Sequence, residues 1–377
     1  MEKRRFIILS GVCVVLLFVM LFMTQPYGPV KAAEKKPILW KFSTMENPGS
    51  LFFAVENWWA REFEKRSGGR IKVEVYGLDQ LCGPKEMVEA VFTGIADVVI
   101  VAPGYYPGKT PLSSIYFLPF ATSAPRVDQM TYAANLAGAH PNMLREYDQF
   151  NSIYAFMVTG PHFNIMSKVP IKTVDDFKGL RIRAIGDMAP LFRKFGATPI
   201  SCPAPEIYTS LERGLFDAAV CCGDWCFDAW RIHEGVKGGY YIQGFDMCPC
   251  VGVGVISKNS YNKLPKDLQQ IVEDLKWEMS AVNYEHLESP AVLEYFAAKF
   301  KRFGIKYSTF PPAERAKMLT FAKELHDAWK ERYKQAGAPE FFDAYQKANQ
   351  EAVKKYPNGI YKERPLPSYI KEVLEKL

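Results

Sequence analysis

The chain has 377 residues, 48% hydrophobic and 23% charged, an ordinary globular balance that is too long for one small core and suits two α/β domains. The formal net charge is +6, but Lys3, Arg4, Arg5, Lys31 and Glu2 precede the expected mature chain, and without them 43 basic and 40 acidic residues leave about +3. So small a balance excludes a nucleic-acid binder with a dedicated basic face.

The first element is a processing signal. Lys3-Arg4-Arg5 form a positive n-region, Phe6 to Met23 is an almost uninterrupted apolar run, and Val30-Lys31-Ala32 places small residues around a cleavage site. Residues 1–32 read as a signal peptide, with an uncleaved anchor as the alternative, because a run of this length can just span a bilayer. Export to the periplasm is expected, and no later stretch is apolar enough to span a membrane. The mature chain keeps seven cysteines, an odd number that cannot all pair within one chain.

Ile38 to Ser43 alternates in polarity and predicts a strand. Asn47-Pro48-Gly49-Ser50 turns into a helix, Leu51 to Lys65, stopped by Ser67-Gly68-Gly69. Ile71 to Tyr76 alternates strictly as a strand. Pro84 opens a helix that shows Met87, Val88, Val91 and Phe92 on one face and ends at Gly94. Ala96 to Ala102 is a short apolar run, as expected of a buried parallel strand. The same order returns later: strand 180–185, helix 187–195, strand 198–202, helix 205–213, strand 217–222. Two such units predict two doubly wound lobes, with the crevice beyond the carboxyl ends of their strands as the expected ligand site.

A long helix is predicted over about 266–300, a strand near 305–310, helices over about 312–335 and 340–355, and a last short helix after Pro357-Asn358-Gly359. The chain is expected to cross between lobes more than once. Lobe I is assigned 38–159 plus about 251–292, and lobe II 160–250 plus about 293–320. Residues 321–377 are assigned to C-terminal helices packing on the lobes.

The stretch IKTVDDFKGLRIRAIG (171–186), followed by KFGATPISCPAPEIYTSLERGLFDAA (194–219), resembles the DctP-type solute receptors of TRAP (tripartite ATP-independent periplasmic) transporters. SGGRIKVEVYGLDQLCGPKEMVEAVFTGIADVV (67–99) and PLSSIYFLPF (111–120) are similar to the first lobe of that family, so the resemblance covers about residues 38–310. It implies an α/β clam-shell of two hinge-connected lobes that closes on a small organic acid and delivers it to membrane permease subunits. It also implies no catalysis, and the last arginine of its K-I-R motif, here Arg183, paired with the ligand carboxylate. A monomer rather than a homodimer is expected, with no cofactor and no nucleic-acid partner. Two other readings stay open, a sensory binding protein on the same fold and a periplasmic cysteine- or metal-dependent enzyme.

Arg183 has a physical case of its own. It lies at a strand end, three residues before Gly186, and its planar fork matches a carboxylate. Arg181 shares its strand face by period two. His162 and Asn164 are either ligand hydrogen-bonding groups or plain loop residues. In the 2-oxo-acid branch of the family a glutamate and a tryptophan help hold a substrate-bridging metal ion. Here those positions are Val220 and Cys221, and the later acidic ligand is replaced in Phe245-Asp246-Met247, so no metal is expected. Trp225, Tyr105, Tyr106, Phe245 and Met247 are candidate aromatic and apolar lining, with Cys221 a further candidate for the ligand site, and each is also a candidate for plain core.

Cys221, Cys222, Cys226, Cys248 and Cys250 do not follow a standard zinc spacing, and Cys221 and Cys222 on one strand are expected to point to opposite faces. A metal cluster, a disulfide and buried small residues all remain open for them. The phosphate-loop and dinucleotide near misses lack required glycines, and the five histidines show no metal-ligand spacing. The ligand expected is a monocarboxylate with an apolar or aromatic body.

Overall fold

The computed structural model describes residues 36–106, 108–360 and 367–377; the expected signal peptide lies outside them. Among the described residues no helix is long and apolar enough to cross a membrane.

The first sheet has the strand order β2-β1-β3-β10-β4. Its strands are β1 (Ile38–Ser43), β2 (Ile71–Tyr76), β3 (Val98–Val101), β4 (Ser152–His162) and β10 (Pro249–Ser257). The second sheet has the order β11-β9-β5-β8-β6-β7. It is built from β5 (Asn164–Ser167), β6 (Arg181–Arg183), β7 (Thr198–Ile200), β8 (Ala218–Cys221), β9 (Tyr240–Gln243) and β11 (Lys306–Thr309). In each sheet one parallel strand sits between two others: β1 between β2 and β3, β6 between β7 and β8. An antiparallel strand follows in each, β10 beside β3 and β5 beside β8. The β-α-β-α-β grammar read twice in the sequence therefore builds two sheets of like topology.

Helix α1 (Leu51–Arg66) begins at Ser50, whose side chain accepts from the Phe53 N–H, and it closes the first unit against Trp40 and Phe42 with Trp59 and Phe63. Helix α2 (Met87–Thr93) ends at Gly94 in the left-handed region. Helices α3 (Val127–Gly138) and α4 (Pro141–Asp148) pack on β4. In the second unit α5 (Ala189–Lys194) and α6 (Ile207–Glu212) connect the parallel strands, and α7 (Asp224–Ala229) and α8 (Ile232–Gly235) follow β8.

The chain passes between the sheets at three places. Phe163 alone separates β4 from β5, Gly244 to Cys248 link β9 to β10, and Glu288-Ser289 leads back to the strand β11. The first two crossings are tied together by the Phe163 N–H donating to the Cys248 carbonyl at 3.0 Å.

After the short α9 (Lys258–Asn262), the helix expected over 266–300 is two helices, α10 (Lys266–Leu287) and α11 (Pro290–Arg302). Pro290 lacks an N–H and pushes Ser289 to an extended ψ of 147°, which ends the first helix. The helix expected over 312–335 is likewise α12 (Pro312–Leu319) and α13 (Ala322–Arg332), and neither Gly nor Pro marks that break. Helix α14 (Ala338–Lys355) packs on α3, and α15 (Ser368–Lys376) on α1, so the C-terminal helices brace the first sheet. Helix α13 touches both units, with the Trp329 indole donating to Ser114 and Arg332 pairing with Asp187 at 2.7 Å.

Candidate ligand-binding cleft

The carboxyl ends of the two parallel units face each other across a cavity of about 80 Å³. Thr44, Met45 and Glu46 follow β1, and Ala102 and Tyr105 follow β3, while Phe52 and Glu56 come from α1. The opposite wall is Arg183 at the end of β6, Ala204 beyond β7, and Cys221, Cys222, Trp225 and Cys226 at and beyond the end of β8. This is the crevice that the topology of open α/β sheets reserves for ligands.

Arg183 is 1% exposed. Its Nε and Nη2 donate to the Cys202 carbonyl at 3.1 Å each, and Nη1 donates to the Val220 carbonyl at 2.7 Å. Nη2 also donates to the Tyr105 hydroxyl at 3.2 Å. Burial works against its charge, but Tyr105 and the thiols of Cys221, Cys202 and Cys226 hold its pKa above the ordinary value, so it stays a cation. Its second Nη1 proton remains for an incoming acceptor. Arg181, which shares its strand, is instead on the surface and pairs with Asp217 at 2.9 Å.

Facing it are two carboxyl groups that the sequence reading did not single out. Glu46 is buried, and burial, then the negative charge of Cys221, push its pKa up to about 8. Glu56 is fully buried and accepts from the Thr44 hydroxyl at 2.6 Å. Its pKa is held well above the carboxylate range by burial and by Glu46, against the Thr44 bond. One oxygen of each, Glu46 Oε2 and Glu56 Oε2, has no hydrogen-bond partner. Near neutral pH the wall opposite Arg183 thus offers neutral acids able to donate or accept. A signal for Glu56 did exist: Phe52, Val55, Glu56, Trp59 and Phe63 form the buried stripe of α1, and a glutamate in such a stripe is an anomaly that needs a purpose.

The cysteines correct an expectation. Cys221 and Cys222 do not diverge to opposite faces, because β8 ends at Cys221 and the chain bends at Gly223, with φ of +31°. The Sγ atoms of Cys221, Cys222 and Cys226 lie within 4.8 Å of one another, and Cys221 Sγ is 2.6 Å from Cys226 Sγ. Burial alone would raise the Cys221 pKa. Hydrogen bonds from Cys222 and Cys226 and the charge of Arg183 take it well below the ordinary thiol value instead.

The lobes are in contact across the cleft. Tyr105, from the first, accepts from Arg183 and from the Ala204 N–H at 2.9 Å, both of the second. Phe52 stacks on Trp225 with ring centroids 5.0 Å apart. Gly186 meets Gly104 so closely that a Cβ on Gly186 would stand 3.1 Å from Gly104 Cα.

Of the residues named from the sequence, the cavity gathers Arg183, Tyr105, Trp225 and Cys221. The others stand elsewhere. The Tyr106 hydroxyl accepts from the Met87 N–H and donates to the Pro84 carbonyl, inside the first lobe. Phe245 stacks on Phe310 at 4.4 Å in the core of the second, and Met247 is fully buried at the crossing, where its carbonyl accepts from the Phe120 N–H. His162 ends β4 at the same crossing; burial lowers its pKa, with Asp246 and Arg315 nearby. Asn164 donates to the Tyr241 hydroxyl at 3.1 Å and lines a second, more open pocket with Asp224 and Glu288. Phe52, Glu46, Glu56, Cys222 and Cys226 also line the wall, none of them among the residues first named for the ligand site.

Residues 42–333 match the model of the DctP family, described as bacterial extracellular solute-binding protein, family 7. The chain is 25% identical over 351 residues to a monocarboxylate 2-oxoacid-binding periplasmic protein of Nostoc sp. strain PCC 7120, covering 88% of this chain and 94% of that one. It is similar in fold to a TRAP solute-binding protein from Rhodoferax ferrireducens in complex with copurified benzoate, with TM-score 0.75, 22% identity, and 84% and 99% of the two chains covered. A Bordetella pertussis extracytoplasmic solute receptor binding pyroglutamic acid superposes with TM-score 0.71 at 18% identity, over 81% and 99% of the chains.

Proposed function

The chain belongs to the bacterial extracellular solute-binding proteins of family 7, and we propose that its cleft closes on an organic monocarboxylate held by Arg183 and passes it to the membrane permease subunits of a TRAP transporter. One observation carries the reading. Arg183 is a fully buried cation at the meeting of two lobes, and its hydrogen-bond acceptors among the described residues are two backbone carbonyls and a phenol. A carboxylate oxygen is the partner that its charge and its remaining Nη1 proton fit. The protein acts as a receptor and catalyses no reaction; its leader sends it to the periplasm, where it works as a monomer.

The rest of the wall narrows the ligand. Phe52 and Trp225 give it a stacked aromatic side, and Ile100, Phe117 and Val158 an apolar one. A second carboxylate on the ligand would meet Glu46 and Glu56 rather than a cation, and burying its charge without a counter-charge is costly. A compact monocarboxylate that offers a hydrogen-bond donor to the orphaned oxygens of Glu46 and Glu56 fits best. Val220 and Cys221 stand where the 2-oxo-acid branch uses metal ligands, so no bridging hard cation is required.

A thermal-shift screen of the mature protein tests this with benzoate and pyroglutamate against succinate and malate, each with and without chelator, beside mass spectrometry of whatever the denatured protein releases. Stabilisation by the monocarboxylates, undiminished by chelator and greater for pyroglutamate with its ring N–H, is expected. Preference for the dicarboxylates, or a demand for added cation, overturns the ligand class.

A further inference from the structure

We propose that Cys221 and Cys226 form a reactive dithiol inside the cleft, which takes a disulfide-bearing partner by thiol–disulfide exchange and closes a Cys221–Cys226 disulfide beside Arg183. The carboxylate reading does not use these sulfurs, and the proposal does not depend on it.

The geometry separates two uses for three clustered thiols. Two thiolates on one tetrahedral zinc, each about 2.3 Å from the metal, stand about 3.8 Å apart. A disulfide needs about 2.05 Å. The Cys221 and Cys226 sulfurs are 2.6 Å apart, nearer to the bond than to the shared ion. The local fold makes this approach: Cys221 is the last residue of β8, the bend at Cys222-Gly223 reverses the chain, and α7 brings Cys226 back over the strand end. Cys222, the third thiol of the cluster, hydrogen-bonds Cys221.

The electrostatics choose the nucleophile. Arg183 sits in the same wall, its Nη1 bonded to the carbonyl of Val220, the residue before Cys221. A guanidinium at that place favours the thiolate of Cys221, and the lowered pKa agrees with it. Both sulfurs line the cavity, yet Cys221 is 2% and Cys226 3% exposed, so a partner reaches them only when the lobes part. An extracytoplasmic receptor works where disulfides form and persist.

The exchange balances in two steps. The Cys221 thiolate attacks one sulfur of the partner disulfide; that S–S bond breaks and one partner thiolate leaves. Cys226 releases its proton to solvent and attacks Cys221 Sγ, and the second partner thiolate leaves. Two cysteine thiols are oxidised to one disulfide, and the partner is reduced to two thiols.

The test uses the reduced, ligand-free mature protein and oxidised glutathione. Wild type is expected to lose two thiols per chain and retain no glutathione, with peptide mapping that joins Cys221 to Cys226. The Cys226→Ser variant should stop at the first step, with one glutathione on Cys221. In Arg183→Met the alkylation of Cys221 at neutral pH should slow by about tenfold or more, as the thiolate fraction falls. A linkage between other cysteines, glutathione trapped elsewhere, no thiol loss in a chain with native circular dichroism, or a thiophilic metal found on the three sulfurs of the isolated protein would each overturn the proposal. Should Cys226→Ser fail to fold, the wild-type map decides alone.

Discussion

Arg183 shows how one residue shapes both stability and binding. Backbone carbonyls of Cys202 and Val220 fix the plane of the guanidinium, so its direction is set before a ligand arrives. Replacing it with Ala should weaken carboxylate binding by roughly 2–5 kcal/mol, the range for truncating one side of a buried charge pair. Arg183→Lys restores charge but not the fork, and should recover only part of that loss. Calorimetry with the acid identified by mass spectrometry checks both; near-native affinity in Arg183→Ala would move the carboxylate elsewhere. Arg183 was legible from the sequence because a strand-end arginine before a glycine is a local pattern. Glu46 was not, since nothing local marks a glutamate after β1 as buried, and the Cys221 and Trp225 wall that shares its cavity lies far along the chain.

Glu46 gives a pH signature with a definite sign. Its folded pKa, about 8, lies above the ordinary value of 4.5, so between those limits the folded protein binds the extra proton. Stability is then greatest below about 4.5 as far as this group is concerned, and falls as pH rises through 8. At about 1.36 kcal/mol per unit the full loss is on the order of 5 kcal/mol. Urea unfolding at about pH 4.5 and about pH 9, which bracket that interval, should show Glu46→Gln losing less stability than wild type over it. Equal losses in both proteins would place the ionisation on another group.

Elements place the two walls, and their ends do the fine work. In α1 the cap at Ser50 fixes where the helix starts, and that start puts Phe52 over Trp225 and Glu56 beside Thr44. At the end of β6 the turn through Gly186, with φ of +56°, brings the backbone against Gly104. Gly186→Ala should hold the lobes apart, because its Cβ would meet Gly104 Cα at 3.1 Å and Phe117 Cβ at 3.4 Å. Gly179→Ala is the control: it carries the same left-handed strain, with φ of +75°, but its Cβ meets nothing within 4 Å. Both variants should lose about 1–2 kcal/mol of stability from the backbone alone, and only Gly186→Ala should lose ligand affinity beyond that, by tenfold or more. Equal affinities in the two would show that closure does not need this contact.

The elements missed in the sequence have physical reasons too. Strand β10 carries Pro249, Gly252 and Gly254, a composition that argues against a strand. The glycines are there because a Cβ at 252 would lie 2.7 Å from Ile100 Cγ2, and one at 254 would lie 2.4 Å from the Phe156 ring. The neighbours that demand glycine belong to β3 and β4, distant in sequence, so the demand is invisible locally. Pro290, by contrast, was visible, and a helix drawn through it was bound to break.

At the scale of the molecule, two lobes of like topology meet through few direct bonds. The cleft is held by Tyr105 with Arg183 and Ala204, by the Phe52–Trp225 stack, and by the Gly104–Gly186 approach. The neutral bond from Ala204 contributes about 1 kcal/mol, the aromatic pair a similar amount, and the bond from the Arg183 cation about 1.5–3 kcal/mol. Opening also releases the buried Arg183, Glu46 and Glu56 to water, which favours the open form by reducing the cost of burying them. The two oppose each other, and a ligand carboxylate that pairs with Arg183 would add to the closed side, with the crossings at Phe163 and at Gly244 to Cys248 as the expected hinge. Small-angle scattering should therefore show a smaller radius of gyration at saturating ligand than without it. Tyr105→Phe, which removes the hydroxyl that both Arg183 and Ala204 donate to, should leave the ligand-free protein more open than wild type while still closing when ligand is added. An unchanged radius on ligand addition in wild type would mean that the lobes stay together throughout, and that the ligand enters without the hinge.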